Sequence, residues 1–505
     1  MIITASQYHK HTSYERDELG GHYLDWQNRP GLYKDYPGIE PIALPEKLSP
    51  IKKNLHSILK ETDIDYIPRS INIEDLSLIL RLTYSLTAKA SHSGADFYYR
   101  SAASAGALYP TEIYAATHGI DGLDDGLYHY AIHRHGLSLI RNNDLSNYIA
   151  GLFIPPAKRE PMITFFFTAI FFRSAWKYRD RSYRYHLLDT GHVVENLVLA
   201  FKALGLPLNL SYDFDDGLIN HLLGLKEAKE VALAVARIPG SDFITDSDGP
   251  EIDELSEDFK NTSMVSGKEV DYPIIREIHQ ESEKTISKED YGPEMINNLG
   301  LVVDTWEKLP DLSFRPEHMD YPQCVFNRRS SRNFIKEPIR KEYLFPLLDA
   351  LCVDDIYCSG NGRKHSRALC VGFFINNIEG VSSGVYLLDN MKRRFGLINP
   401  GSFMDSMAHA CLDQAWLGNA AVLFLFMNNL DILDGTWGPR GYRYAMMSAG
   451  RMGERLYITA TSLGLGCCGI GAFYDGEAAE LIGLNSEFRL LYLVATGRVK
   501  SLIDR

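Results

Sequence analysis

The chain contains itself twice, and that repetition constrains its fold more than any other feature. Arg181–Leu225 and Arg440–Leu484 align without a gap at an offset of 259 (440 minus 181), and 16 of the 45 positions are identical. The shared residues include a Tyr-Arg-Tyr triplet (Tyr183–Tyr185, Tyr442–Tyr444), a glycine (Gly191, Gly450), a Leu-Gly-Leu, a Phe-x-Asp-Gly and a closing Gly-Leu. Self-similarity over such a length means two copies of one folding unit. At 505 residues the chain is in any case too long for one ordinary core.

Each copy opens with a helical pattern. Leu187, Leu188, Val194, Leu197, Val198 and Phe201 recur at three- and four-residue spacings, and Gly205 supplies a stop. A short helix is predicted at Leu218–Leu223, followed by strand-type apolar runs at Val231–Ala236 and, in the second copy, Leu490–Ala495. Upstream, Gly126–Tyr130 (GLYHY) parallels Gly384–Leu388 (GVYLL). The pattern predicts two tandem α+β domains, 61–240 and 311–505, joined by a polar, acidic connector, 241–310, whose composition suits a solvated spacer with some helix. Residues 1–60 read as an extension laid over the first domain.

Composition narrows the function. A net charge of −13 argues against nucleic acid as a partner, because phosphate backbones need a basic face, though a local basic pocket for a small phosphate stays open. The seven cysteines (Cys324, Cys352, Cys358, Cys370, Cys411, Cys467 and Cys468) are odd in number and irregularly spaced, so no disulfide framework is read. No CxxC or HExxH occurs, and no metal is expected. The N-terminal stretch lacks the apolar segment of a signal peptide, and runs such as Ala420–Met427 are too short to cross a bilayer. The expectation is a cytoplasmic enzyme with reduced thiols and no membrane partner.

Specific motifs then appear. Ser104–Pro110 reads SAGALYP and is followed by Thr111–Tyr114 (TEIY) and GLYHY; Arg328–Phe334 reads RRSSRNF; the second copy closes with LGLGCCGIGAFYD, a strand, and Gly497–Arg498. In order and spacing these resemble the SagB/ThcOx-type dehydrogenases of the nitroreductase superfamily, with their PSAGxLYPxExY and RRSxRxF segments. The resemblance covers nearly everything outside the extension and connector. It implies a mixed, mainly antiparallel sheet flanked by helices in each domain, the two packed as an intrachain pseudo-dimer, with FMN at their interface. In homodimeric relatives one subunit gives the RRSxR segment, glycine turn and C-terminal basic residues, and the other gives the SAGALYP segment. A tandem chain can supply both, so a monomer is feasible.

The copies have kept complementary parts. Copy one has SAGALYP but, in place of RRSxR, Asp65–Ser70 (DYIPRS); copy two has RRSSR but His365–Gly372 (HSRALCVG) in place of SAGALYP. Copy two has the turn Gly469–Gly471 where copy one has Leu210–Tyr212. One composite site, with one FMN per chain, is therefore expected. The resemblance assigns Arg328, Arg329, Ser330 and Arg332 to phosphate and polar flavin atoms, with Arg498 and Lys500 completing the charge balance. It assigns Ser104, Ala105, Gly106 and Ala107, and Gly469, Ile470 and Gly471, to close backbone approach to the ring. Ala103 stands where the family has Pro, which loosens the entry to that loop.

The azoline-oxidising members carry a Lys-Tyr acid/base pair before an R-x-YR element, a place held here by Lys177 and Tyr178; copy two has Thr436 and Trp437 instead. Removing a hydride from carbon also requires removing a proton, and a Lys or Tyr with a shifted pKa can take it. The implied activity is FMN-dependent oxidation of a small or peptide-derived substrate, with dioxygen taking the electrons back. The alternatives are an NAD(P)H-dependent nitro or quinone reductase and a non-catalytic flavin-binding partner. Other groupings read as structural: His129, His133 and His135 as surface histidines in a hairpin, Cys467 and Cys468 as buried small side chains, and Asp213, Asp215 and Asp216 as a turn or helix cap.

Overall fold

The computed structural model describes residues 3–47, 50–61, 70–92, 95–154, 157, 159–243, 252–284, 295–312, 317–352 and 368–500. Cys358, most of Asp65–Ser70 and the start of His365–Gly372 lie outside the described residues. Two seven-stranded sheets form the framework. The first runs Ile42–Ala43, Gly136–Asn142, Gly126–Ala131, Thr111–Thr117, Arg159–Ile170, Glu230–Phe243, Asn209–Ser211. The second runs Glu307–Lys308, Arg394–Pro400, Gly384–Asp389, Cys370–Ile375, Val422–Asn429, Phe488–Gly497, Gly466–Ile470. The orders correspond strand for strand, and the pairings within both sheets are antiparallel. The two tandem α+β units are thus as the repeat predicts.

Between the sheets lie two 23-residue helices, Ser182–Leu204 and Arg440–Ser462. The first ends at Gly205, whose left-handed φ of 65° caps it. Both are buried on all sides, so each polar side chain in their apolar pattern needs a hydrogen-bond partner, and several find it in the other half. They cross at the shared glycine. A Cβ on Gly191 would lie 2.3 Å from the Met447 carbonyl oxygen, and one on Gly450 2.2 Å from that of Leu188. No other residue permits this approach.

The remaining identities of the repeat clamp the halves together. Arg181 and Arg184 each donate to Asp475 at 2.8 Å, and Arg440 and Arg443 each donate to Asp216 at 2.6 Å. These two sets are the same residues displaced by 259. Asp215 does cap the helix Asp216–Leu223, accepting from Leu218 N–H at 2.9 Å, but Asp216 is the buried anchor of an ion-pair cluster.

The extension is not confined to the first domain. Ile42–Ala43 forms the edge strand of the first sheet, and Lys34 makes a buried ion pair with Glu230. Residues 4–16, however, sit on the second half: Ala5 and Ser6 N–H groups donate to Asp434, and Arg16 forks onto Glu477. The connector is likewise less solvated than its composition suggests, because its helix Pro273–Glu283 buries Ile275, Ile278, His279 and Ser282. This helix and the N-terminal helix Ala5–His11 play matching parts. His9 Nδ1 meets Tyr442 OH at 3.1 Å, and His279 Nδ1 meets Tyr183 OH at 3.1 Å. Arg181 donates to the Thr12 carbonyl and Arg440 to that of Ser282. Burial pushes both histidines down to about 3, so both stay neutral. The two helices thus hold corresponding tyrosines of the repeat in the same way.

Candidate active site

At the seam of the halves lies a cavity of about 150 Å³, open on one side and lined by residues of both copies. The first copy gives the loop Ser104–Gly106, Tyr178, and one face of its central helix, Tyr185, Asp189 and His192 at four- and three-residue steps. The second gives Ser330, Arg332, Cys468–Gly471, Tyr457 and Tyr492.

The Ser104–Ala107 loop turns sharply, with positive φ at Gly106 (61°) and Ala107 (53°). Asp189 holds it there: Ser104 Oγ donates at 2.6 Å and Ala105 N–H at 3.1 Å. Lys177 and Tyr178 close on its outer side. A Cβ on Gly106 would be 2.8 Å from the Tyr178 hydroxyl and 3.3 Å from Lys177 Nζ, so glycine is required there by packing as well as by φ. Burial lowers the Lys177 pKa, and the positive charge of Arg332 lowers it further. Burial raises that of Tyr178, which therefore stays a phenol. Asp189, buried without a cation, is pushed up to about 7 despite its two hydrogen bonds.

On the opposite wall Ser330 Oγ lies 2.9 Å from Tyr457 OH, which also accepts from Gly469 N–H at 2.6 Å. The glycine turn has a packing explanation too. A Cβ on Gly469 would lie 1.8 Å from Tyr492 OH, and one on Gly471 2.5 Å from the Tyr185 ring. The Gly471 carbonyl accepts from Tyr185 OH and from Arg181. Cys467 and Cys468 point to opposite faces of their strand, so only Cys468 reaches the cavity. Burial raises both thiols, and Cys468 sits beside Arg332.

Of the residues expected around a cofactor, the structure brings Ser104, Ala105, Gly106, Ser330, Arg332, Gly469, Ile470 and Gly471 to this cavity, with Ala103 and Tyr178. Ala107 and Lys177 are not among the residues that line it. Four cations are placed elsewhere. Arg328 is buried and donates to the Ser101 and Arg100 carbonyls at 2.6 and 3.0 Å, tying the halves together. Arg329 donates to the Arg328, Phe326 and Thr87 carbonyls. Arg498 is exposed and pairs with Glu337 at 3.2 Å, and Lys500 is exposed, its backbone N–H bonded to the Asn333 carbonyl. Asp189, His192, Tyr457 and Tyr492 escaped sequence reasoning. Their signal was available in the repeat, where Ser448, Arg451, Val198 and Leu233 stand at the equivalent positions.

On the other side of the seam, among the described residues, the equivalents of the cavity residues are engaged in contacts across the halves. Arg451 and Arg455 both donate to Glu195, at 2.8 and 2.6 Å, and Tyr444 donates to Asp213. His129 is also a correction: it is buried, not superficial, and lies 2.8 Å from Glu112, which Arg173 neutralises. Among the described residues His118, Asp125 and Asp144 bring metal-type ligand atoms together, but as partly exposed ion pairs at a turn. No described helix is long and apolar enough to cross a membrane.

Two α+β halves of one repeat share a seam cavity, and comparison with known proteins gives the family. The sequence profile of the nitroreductase family matches residues 65–237 and again 325–498. The chain belongs to the nitroreductase family, with two copies in tandem, and is an oxidoreductase by that membership. It is 29% identical over 199 residues to MJ1384 of Methanocaldococcus jannaschii, a protein that carries the name nitroreductase; the match covers 39% of this chain and 98% of that one. It is 29% identical over 175 residues to the trifolitoxin-processing protein TfxB of Rhizobium leguminosarum bv. trifolii, covering 33% of this chain and 47% of that protein. A crystal structure from Anabaena variabilis, also called a nitroreductase, matches 98% of this chain and 99% of its own with a TM-score of 0.76 at 24% identity, so the two-unit fold extends over the whole length.

Proposed function

We propose that this protein is an FMN-dependent dehydrogenase or oxidase of the SagB/ThcOx kind, with one flavin per chain in the seam cavity and a small or peptide-derived substrate. The observation that carries this is the asymmetry of the seam: one side has a cavity lined by the Ser104–Gly106 loop and Tyr178 of one copy and by Ser330 and Arg332 of the other, while the place of its His192 is taken on the other side by Arg451, paired with Glu195.

The residues present suit the cofactor. Lys177 and Arg332 stand close enough for Arg332 to depress the lysine, with no carboxylate paired to either among the described residues, so an anionic group is favoured beside them. Arg332 and Ser330 are the two members of the RRSSR segment at the cavity, and they would hold the phosphate or a polar ring edge. The left-handed turn at Gly106 lets backbone approach a planar ligand. The enclosed volume is below the roughly 300–1,000 Å³ of ligand pockets, so the cavity would enclose only part of a flavin.

When bound, FMN supplies the hydride-accepting ring; the chain supplies the proton chemistry and the geometry. Lys177, with its pKa lowered by burial and by Arg332, is the better base of the pair. Tyr178 stays protonated and serves as a donor. The name of the relative TfxB, which records processing of trifolitoxin, is in keeping with a peptide-derived substrate.

The test is FMN released per polypeptide after reconstitution. One per chain, lost in Arg332→Ala with Ser330→Ala, supports the reading; two refute the single site; none moves the function to a non-catalytic partner. Rapid reduction of the bound flavin by NADPH would favour a general nitro or quinone reductase instead.

A further inference from the structure

A second chain of proton-carrying groups ends in the same cavity and draws on both halves. His192 of the first central helix lies with Nδ1 2.6 Å from the Glu454 carboxylate on the second, and with Nε2 3.0 Å from the hydroxyl of Tyr492. All three are buried, and the rings of His192 and Tyr492 form part of the cavity wall. A carboxylate can only accept, so the proton of the neutral imidazole sits on Nδ1, and Nε2 takes the phenol O–H.

Two glycines make room for this arrangement. Gly453 lies inside a helix, where glycine costs about 1 kcal/mol against alanine. A Cβ there would be 2.8 Å from the Tyr492 ring and 3.2 Å from His192 Nε2. Gly469 leaves space for the Tyr492 hydroxyl itself, 1.8 Å from its hypothetical Cβ. At the offset of 259 the first copy has Val194 and Leu210 in these places. The partners differ as well: Glu195 is retained opposite Glu454, but it faces Arg451, and Leu233 stands where Tyr492 would be. A carboxylate on an arginine is a structural contact that cannot pass a proton at working pH. The carboxylate–imidazole–phenol sequence therefore occurs on the cavity side of the seam and is absent from its pseudo-symmetric counterpart.

We propose that Tyr492 is a catalytic proton-transfer residue of this cavity, with His192 and Glu454 as the positioning residues that make its hydroxyl a relay. The inference rests on the cavity being the reaction site. In the oxidising direction the substrate's proton moves to the Tyr492 oxygen while the phenol proton passes to His192 Nε2. The imidazolium so formed is paired by Glu454, and the substrate's hydride leaves with its electron pair for FMN. Run backwards, the relay delivers one proton as the reduced flavin delivers one hydride. The other groups facing the relay are Tyr457, its ring 5.7 Å from that of His192; Arg328, 4.0 Å from Glu454; and Asp189 with the two cysteine thiols beside Tyr492. Burial, reinforced by Tyr457, the two thiols and Asp189, raises the Tyr492 pKa, so the phenol rests protonated.

The experiment has two arms, on wild type, Tyr492→Phe, His192→Asn and Glu454→Gln. In FMN-free protein, nitrogen-15 histidine NMR follows His192. The expected result is a slowly exchanging Nδ1–H signal that Glu454→Gln removes, and an Nε2 shift that moves in Tyr492→Phe. In FMN-loaded protein, reduced by light and mixed anaerobically with menadione, the quinone takes one hydride and one proton. Tyr492→Phe and His192→Asn are expected to slow this about 10²–10⁴-fold and to remove the solvent deuterium effect, with FMN content unchanged. Full-rate turnover with an unaltered deuterium effect in Tyr492→Phe, or a His192 spectrum indifferent to both partners, overturns the relay. If wild-type protein binds no FMN, the functional reading fails, and the NMR arm still decides whether the three groups are coupled.

Discussion

The pseudo-symmetric clamps permit a controlled comparison, because Asp475 and Asp216 do the same mechanical work at places with different chemistry. Asp475 accepts from Arg181, Arg184 and the Tyr14 N–H; Asp216 accepts from Arg440 and Arg443. For both, burial alone would raise the carboxyl, but the paired guanidiniums outweigh it and hold the pKa below the ordinary carboxylate range. A lowered native pKa means stability that is present above the unfolded value and lost as pH falls through the folded one, so the clamps weaken only in strong acid. Asp475→Asn or Asp216→Asn keeps the side-chain volume and removes the carboxylate that two buried guanidiniums share, although Arg440 retains Asp213 at 3.6 Å. Breaking a buried pair from one side costs about 3–5 kcal/mol, so each variant should lose that much at neutral pH, read from the first transition in urea. The consequences for the site should differ. Arg181 also holds the Gly471 carbonyl at 3.0 Å, and Gly471 lines the cavity. Asp475→Asn should therefore weaken FMN retention at a temperature where both variants remain folded, while Asp216→Asn should leave it unchanged. A loss under about 1 kcal/mol in either variant would refute the clamp energetics, and equal loss of FMN in both would refute the one-sided cavity.

Asp189 gives the opposite pH behaviour: its native value of about 7 against 3.8 means that it binds an extra proton in the folded state between those limits, so its contribution falls as pH rises from about 4 to 7. The shift corresponds to at most about 4 kcal/mol, and Asp189→Asn should gain stability relative to wild type at pH 8 compared with pH 5, measured by thermal unfolding at both. Gly450→Ala should cost about 3 kcal/mol or more in urea unfolding, since a Cβ there meets backbone that cannot yield. Arg332→Gln removes a charge that depresses Lys177, so any pH-rate limb carried by Lys177 should move to higher pH; a limb that stays in place would exclude Lys177 as its source.

What the sequence made legible was the set of features that depend on spacing. The helices, the strand runs, the stop at Gly205 and the two-copy arrangement follow from periodicity and repetition, and the structure has them all. The composite cavity was legible through the complementary motifs. Motifs cannot say which atom a long side chain meets, and that is where Arg328 and Arg329 part from Arg332: two guanidiniums are taken up by backbone carbonyls, and one is left at the cavity. The matching helices at Ala5 and Pro273 were invisible because they share only burial and one histidine: Ala5 against Ile275, Tyr8 against Ile278, His9 against His279. Tyr457 and Tyr492 were invisible for another reason. In an apolar pattern a tyrosine reads as core, and only the tertiary contact of its hydroxyl shows otherwise.

Identity between the copies and difference between them therefore report separate things. Tyr-Arg-Tyr, the crossing glycine, Asp-Gly and the helix glutamate persist in both because each half needs them to hold the other, a demand that duplication leaves symmetric. A fused chain no longer needs two cavities, so positions facing the seam were free to diverge. On one side they became arginines that pair with Glu195. On the other they carry Asp189, His192, Tyr457 and Tyr492, polar groups that would be costly in a core without a use, next to glycines that hold the space open. The most informative residues for chemistry in such a chain are thus those where its two copies disagree on an otherwise shared helix face.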